Sequence, residues 1–123
     1  MSLPFIDRVK ETCTSPGVGA VTLLGAVSGF STFSSAFPTG TLNKFSYAIV
    51  DQSGSNWEVG KASLITSTLM VRLTIEASSN AGSLVNFSTG TQNVFATFTA
   101  KDINQLATFG INYCQSIGCG SIF

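Results

Sequence analysis

Four carboxylates, Asp51, Glu58, Glu76 and Asp102, lie beyond the N-terminal stretch and are the side chains best able to do chemistry. Two of them facing each other could serve as the acid and base of a glycosidase. No spacing singles out such a pair, and acids at turns and strand ends are more commonly just solvated. The chain has no histidine. This removes Ser-His-Asp and Cys-His nucleophile systems as usually built, and with them His-containing zinc sites. Cys13, Cys114 and Cys119 offer at most three thiolates, whereas closed zinc sites want four ligands. Gly17-Val-Gly19 lacks the third glycine of a dinucleotide fingerprint, and Gly60-Lys61 lacks the flanking residues of a phosphate loop. No catalytic residue, cofactor or metal is expected. Trp57, the sole tryptophan, reads either as a hairpin aromatic facing Tyr47 or as an exposed platform for a sugar or a partner.

The elements that must position these residues are mostly strands. Phe45 to Val50 alternates, Asp51 to Asn56 is a turn cluster, and Trp57 to Ile65 returns as the partner strand of a hairpin. Residues 67–76 carry the clearest period of two, as expected for a half-buried strand. Leu69, Val71, Leu73 and Ile75 fall on one face, and Thr68, Met70, Arg72, Thr74 and Glu76 on the other. Val21 to Val27 predicts another strand, with Gly25 marking a bulge. Asn93 to Thr99 predicts the last, with Val94, Ala96 and Phe98 on one face. Phe30, Phe33 and Phe37 are expected in the core, and Leu84, Val85 and Phe87 should tie down the loop 77–90. After Ala100 the apolar period becomes helical, with Asp102 as N-cap and Gln105 completing a capping box. The expected architecture is mainly β: an antiparallel β-sandwich or partly open barrel with a short C-terminal helix. It divides into an N-terminal arm over 1–16, a β domain over 17–100 and the helix and tail over 101–123.

Only 10% of the 123 residues are charged, against about 25% in ordinary domains. Ser, Thr, Gly and Asn fill the shortfall. Such a surface suits a part covered by other subunits, since burying charge is costly, or a β protein with Thr-rich faces. Net charge is zero, and Arg8, Lys10, Lys44, Lys61, Arg72 and Lys101 are scattered along the chain. Direct binding to nucleic acid or to an anionic membrane is therefore not expected. No apolar run is long enough to span a bilayer. The apolar stretch over 17–27 lacks the compact basic start of a signal peptide and reads as a strand. Three cysteines leave at least one unpaired, which fits folding in a reducing cytoplasm, and a Cys114–Cys119 bridge stays open.

Three blocks, in this order, carry a resemblance. They are Asp7-Arg8-Val9-Lys10-Glu11-Thr12, then Tyr47-Ala-Ile-Val-Asp51 with Asn56-Trp57-Glu58-Val59-Gly60, and finally Ala77 to Phe95 with its Asn80-Ala-Gly and Val85-Asn-Phe-Ser. Jointly they resemble the small particle-proximal module that opens tail-fibre and tailspike proteins of tailed bacteriophages and prophages. The Thr-rich tract usual after the first block is interrupted here by Cys13 and Pro16. The resemblance implies a virion structural protein, assembled in the host bacterial cytoplasm, that attaches tail or fibre in the manner of an adaptor. With no fibre region after Phe123, attachment rather than receptor binding is the expected role. The implied partners are the portal, adaptor or tail tube, a fibre or the capsid. A homo-oligomer is expected, a trimer if the chain serves fibres. A capsid decoration or head-spike protein and a carbohydrate-binding module are the alternatives. Phe5 and Arg8 on the arm and Ile111 and Tyr113 on the last helix are the expected subunit contacts.

Overall fold

A computed structural model describes residues 6–14, 16–88 and 90–105. Six strands form one antiparallel sheet: β1 Lys10–Thr14, β2 Val21–Thr22, β3 Phe45–Asp51, β4 Trp57–Thr66, β5 Leu69–Ser78 and β6 Thr91–Ala96. Their order is β1-β6-β3-β4-β5-β2. The sheet curls until its two ends meet. Beyond β2 the chain crosses to β1, where the Leu24 and Val27 N–H groups donate to the carbonyls of Thr12 and Lys10 at 2.9 and 3.0 Å. The result is a nearly closed barrel. Its corner is Gly25, whose φ of +113° suits glycine, and the Gly25 N–H donates to the Glu11 carboxylate at 3.0 Å. The segment over 21–27 is thus two short pairings with a corner between them, not one strand.

Residues 10–14, inside the segment read as an arm, belong to the sheet as β1. Lys10 pairs with Phe95 and Thr14 with Thr91. A single turn of helix, α1 Phe33–Ala36, packs on the sheet with Phe33 fully buried in the core. Thr32 caps it by accepting from the Ser35 N–H, and the buried Glu11 accepts from the Phe33 N–H at 2.8 Å. Glu11 therefore fixes the barrel corner and this helical turn together. Phe37 stacks on Phe45 with ring centroids 4.5 Å apart, and Phe33 sits 5.2 Å from Phe45. Val85 and Phe87 enter the core as expected. Phe30 does not; it lies half-buried at the surface.

β5 turns Met70 and Arg72 inward over its first half, whereas Thr74 and Glu76 lie with Lys61 on the outside. Met70 is fully buried and the Arg72 side chain is only 2% exposed, whereas Leu73 is 38% exposed. Three register irregularities between β4 and β5 break the period, and they change which side chains meet the core. Trp57 pairs with Val50 and not with Tyr47, which lies opposite Gly60. Cys13 is buried, its thiol donating to Gln92 at 3.7 Å. Burial pushes that thiol up to about 11, against a smaller opposing pull from Arg72.

The helix after β6 begins at residue 100 and is described through 105. Its cap is Thr99, not Asp102. The Thr99 hydroxyl accepts from the Asp102 N–H at 3.2 Å, and the Asp102 carboxylate accepts from the Thr99 N–H at 3.0 Å. This is a reciprocal capping box shifted three residues upstream of the expected one. Asp102 is drawn into it because its carboxylate also meets a lysine on the barrel wall.

Candidate interaction surface

Of twelve charged side chains, six are committed to holding the barrel together. Glu11 joins the Gly25 corner to the Phe33 N–H. Glu58 from β4 and Arg72 from β5 form a fully buried ion pair at 3.2 Å. Glu58 also accepts from the Tyr47 hydroxyl at 2.6 Å and from the Val85 N–H at 3.0 Å. Arg72 donates to the carbonyls of Val85, Gly17 and Gly19 at 3.1, 2.9 and 2.8 Å. One ion pair thereby ties three strands to two loops. Burial first, then the hydrogen bond to Glu58, pushes the Tyr47 phenol far above its ordinary value.

Lys61 gathers the last two, Glu76 and Asp102, on the outer wall. Its ammonium donates to Asp102 at 2.5 Å, Ser46 at 2.7 Å and Glu76 at 3.1 Å. Asp102 also accepts from Ser46 at 2.6 Å. Burial alone would raise the Asp102 carboxyl. Hydrogen bonds from Lys61, Ser46 and Thr99 outweigh it and bring the carboxyl from 3.8 down to about 2. A carboxyl depressed in the folded state stabilises fully above its unfolded pKa, and that contribution fades as pH falls from about 4 through about 2. Asp102→Asn should cost about 1 kcal/mol at pH 7, after allowance for solvent around Lys61. The gap from the parent should close between pH 4 and pH 2, as read by urea titration at stepped pH. Parallel pH curves for parent and variant would refute the assignment.

With those six accounted for, the free charges are Asp7, Asp51 and the four cations Arg8, Lys10, Lys44 and Lys101. Asp51 is held by Ser53 and Asn56 in the hairpin turn. Among the described residues, none of the four cations forms an ion pair. They are scattered in sequence but not in space. Lys44 and Lys101 border a groove of about 590 Å3 beside the C-terminal helix. Phe98 leads from it to a second groove of about 190 Å3, lined by Ile6, Asp7 and Arg8. Arg8 and Ala96 continue into a third of about 280 Å3, with Lys10, Phe30 and Phe95.

In that third groove the Arg8 guanidinium carbon lies 3.9 Å from the Phe30 ring centroid, and the Lys10 ammonium 5.4 Å from it. Arg8 adopts φ +62°, uncommon for a side-chain-bearing residue. Its carbonyl accepts from the Ser31 N–H at 2.6 Å, and its guanidinium donates to the Gly29 carbonyl at 3.1 Å. The loop around Gly29 therefore holds this strained residue with its charge against the ring.

Of the expected contact residues, Arg8 lies on this surface; Phe5, Ile111 and Tyr113 fall outside the described residues. Lys10, Lys44, Lys101 and Phe30 were not anticipated from sequence. Scarcity of charge is the one signal that could have found them: once acids in apolar strands are assigned to the interior, the remaining bases stand out. The four candidate acids take separate roles. Glu58 is inside the barrel, Glu76 and Asp102 share Lys61, and Asp51 sits in the turn. Trp57 is 37% exposed at the start of β4. A scan against protein families, a search of curated proteins and a search of solved structures each returned no match.

Proposed function

We propose that this chain is a structural component of a tailed-bacteriophage particle, an adaptor-type part attaching tail or fibre and acting by packing rather than by turnover. The observation that carries the reading is how the three resembling blocks lie in the fold. The first contributes β1, the second β3 and the start of β4, the third β6, and these strands are consecutive neighbours in the sheet. Tyr47 and Glu58 from the second block and Val85 from the third are bonded to one another. The resemblance thus falls on one physical unit instead of on unrelated pieces of surface. The partners proposed are other virion proteins, with the chain itself in several copies.

Quantitative mass spectrometry of purified particles tests the proposal. An attachment component is expected at a few dozen copies or fewer, located at the tail. Hundreds of copies on the shell would replace it with capsid decoration, and absence from the particle would sink both.

A further inference from the structure

We infer that the linked grooves running from Lys44 and Lys101 past Phe98 to Arg8, Lys10 and Phe30 dock an acidic, apolar-studded peptide segment of a partner protein. This deepens the proposed function and rests on it for the partner's identity, though not for the chemistry.

Three observations converge. First, the zero net charge conceals a separation. The committed groups comprise four acids, Glu11, Glu58, Glu76 and Asp102, against two bases, Lys61 and Arg72. The free groups comprise four bases against Asp7 and Asp51. Glu76 and Asp102 share Lys61 on the outer wall and line the first groove, while Glu11 and the Glu58–Arg72 pair lie inside, so the outside carries one net positive charge that the sequence total hides, and all four bases border this one band. Second, Arg8 and Lys10 are like charges gathered on a single ring, a repulsive arrangement that a partner carboxylate would relieve. Third, Phe30, Phe95, Ala96 and Phe98 supply apolar surface between the cations. Such alternation suits a polypeptide carrying both carboxylates and apolar side chains. A nucleic acid fits less well, because only four cations give a small counterion-release term. Among the described residues, Asp7 is the acid on the band that forms no ion pair, and it sets a place where the partner should present no carboxylate.

The full chain, purified and labelled, is applied to an array of random dodecapeptides and, separately, to a single-stranded DNA of twelve nucleotides. Bound peptides should be enriched in Asp and Glu together with aromatic or aliphatic residues, and depleted in Lys and Arg. Lys44→Glu with Lys101→Glu should lower affinity for the best peptide by about tenfold or more. Both lysines are exposed, so the fold is retained, as checked by an unchanged melting curve. Arg8→Ala with Lys10→Ala probes the other end of the band. Unselective binding, unchanged affinity in the Lys44/Lys101 variant, or tighter binding to the DNA would each overturn the inference. These readouts do not involve the particle, so they fail separately from the copy-number test.

Discussion

Glu58→Gln should lower the unfolding free energy by about 3–5 kcal/mol, because it leaves the Arg72 guanidinium buried without its counter-charge. The glutamine has the shape of the glutamate but cannot neutralise Arg72, whose side chain is 2% exposed. It also weakens the acceptor shared by Tyr47 and the Val85 N–H. Removing both charges, as Glu58→Gln with Arg72→Met, should recover part of the loss, since an uncompensated charge costs more than an absent pair. Tyr47→Phe removes one hydrogen bond and should cost only about 1–2 kcal/mol. Urea unfolding of the four proteins decides it. A Glu58→Gln loss under about 1 kcal/mol would mean that water reaches the pair, contrary to its burial.

Gly60→Ala should cost about 3 kcal/mol, the upper end of what an inserted methyl does in a packed interior. A Cβ on Gly60 would lie 1.9 Å from the Thr74 carbonyl oxygen and 3.1 Å from the Ile75 Cα. Both obstacles are backbone of the neighbouring strand, so no side-chain rotation relieves them. Gly60 sits where the β4–β5 register shifts, and the two chains approach there more closely than a regular ladder allows. Gly54→Ala in the β3–β4 turn, where a Cβ meets nothing within 4 Å, is the comparison. It has φ +79° and should lose only the cost of that backbone conformation, about 1 kcal/mol. Equal losses at the two positions would show that the close strand approach is not what Gly60 serves.

Much of the scaffold was legible. The β3–β4 hairpin, β5, β6, the loop residues Val85 and Phe87, and a helix after residue 99 all follow from periodicity and turn chemistry. Three things were not, for separate reasons. β1 carries Lys10, Glu11, Thr12 and Thr14, which reads as a polar arm. Its membership depends on pairing with β6, about eighty residues away, and local pattern cannot see that. The inward face of β5 was hidden because alternation finds two faces without saying which is inside. Bulges then exchange them part-way along, and a buried partner makes Arg72 an interior residue. The helix cap moved because Thr99 and Asp102 satisfy each other while Asp102 answers Lys61, a contact between distant segments. The surface band failed to show for the same reason: four bases spread over ninety residues meet only after the barrel closes.

The strand order β1-β6-β3 has a consequence in time. Among the described residues, the last strand to be synthesised is not added at an edge; it is inserted between the first and the third. Until β6 arrives, β1 and β3 each present an unpaired row of N–H and carbonyl groups, and the β3–β4–β5 meander stands as an open sheet. Loop closure between residues 10 and 95 must come before most of the β1 hydrogen bonds form. Folding should therefore be slow for a chain of this size, and the open meander is the species most prone to pair with another copy. How quickly β6 finds its slot should therefore set how much of the chain escapes such pairing.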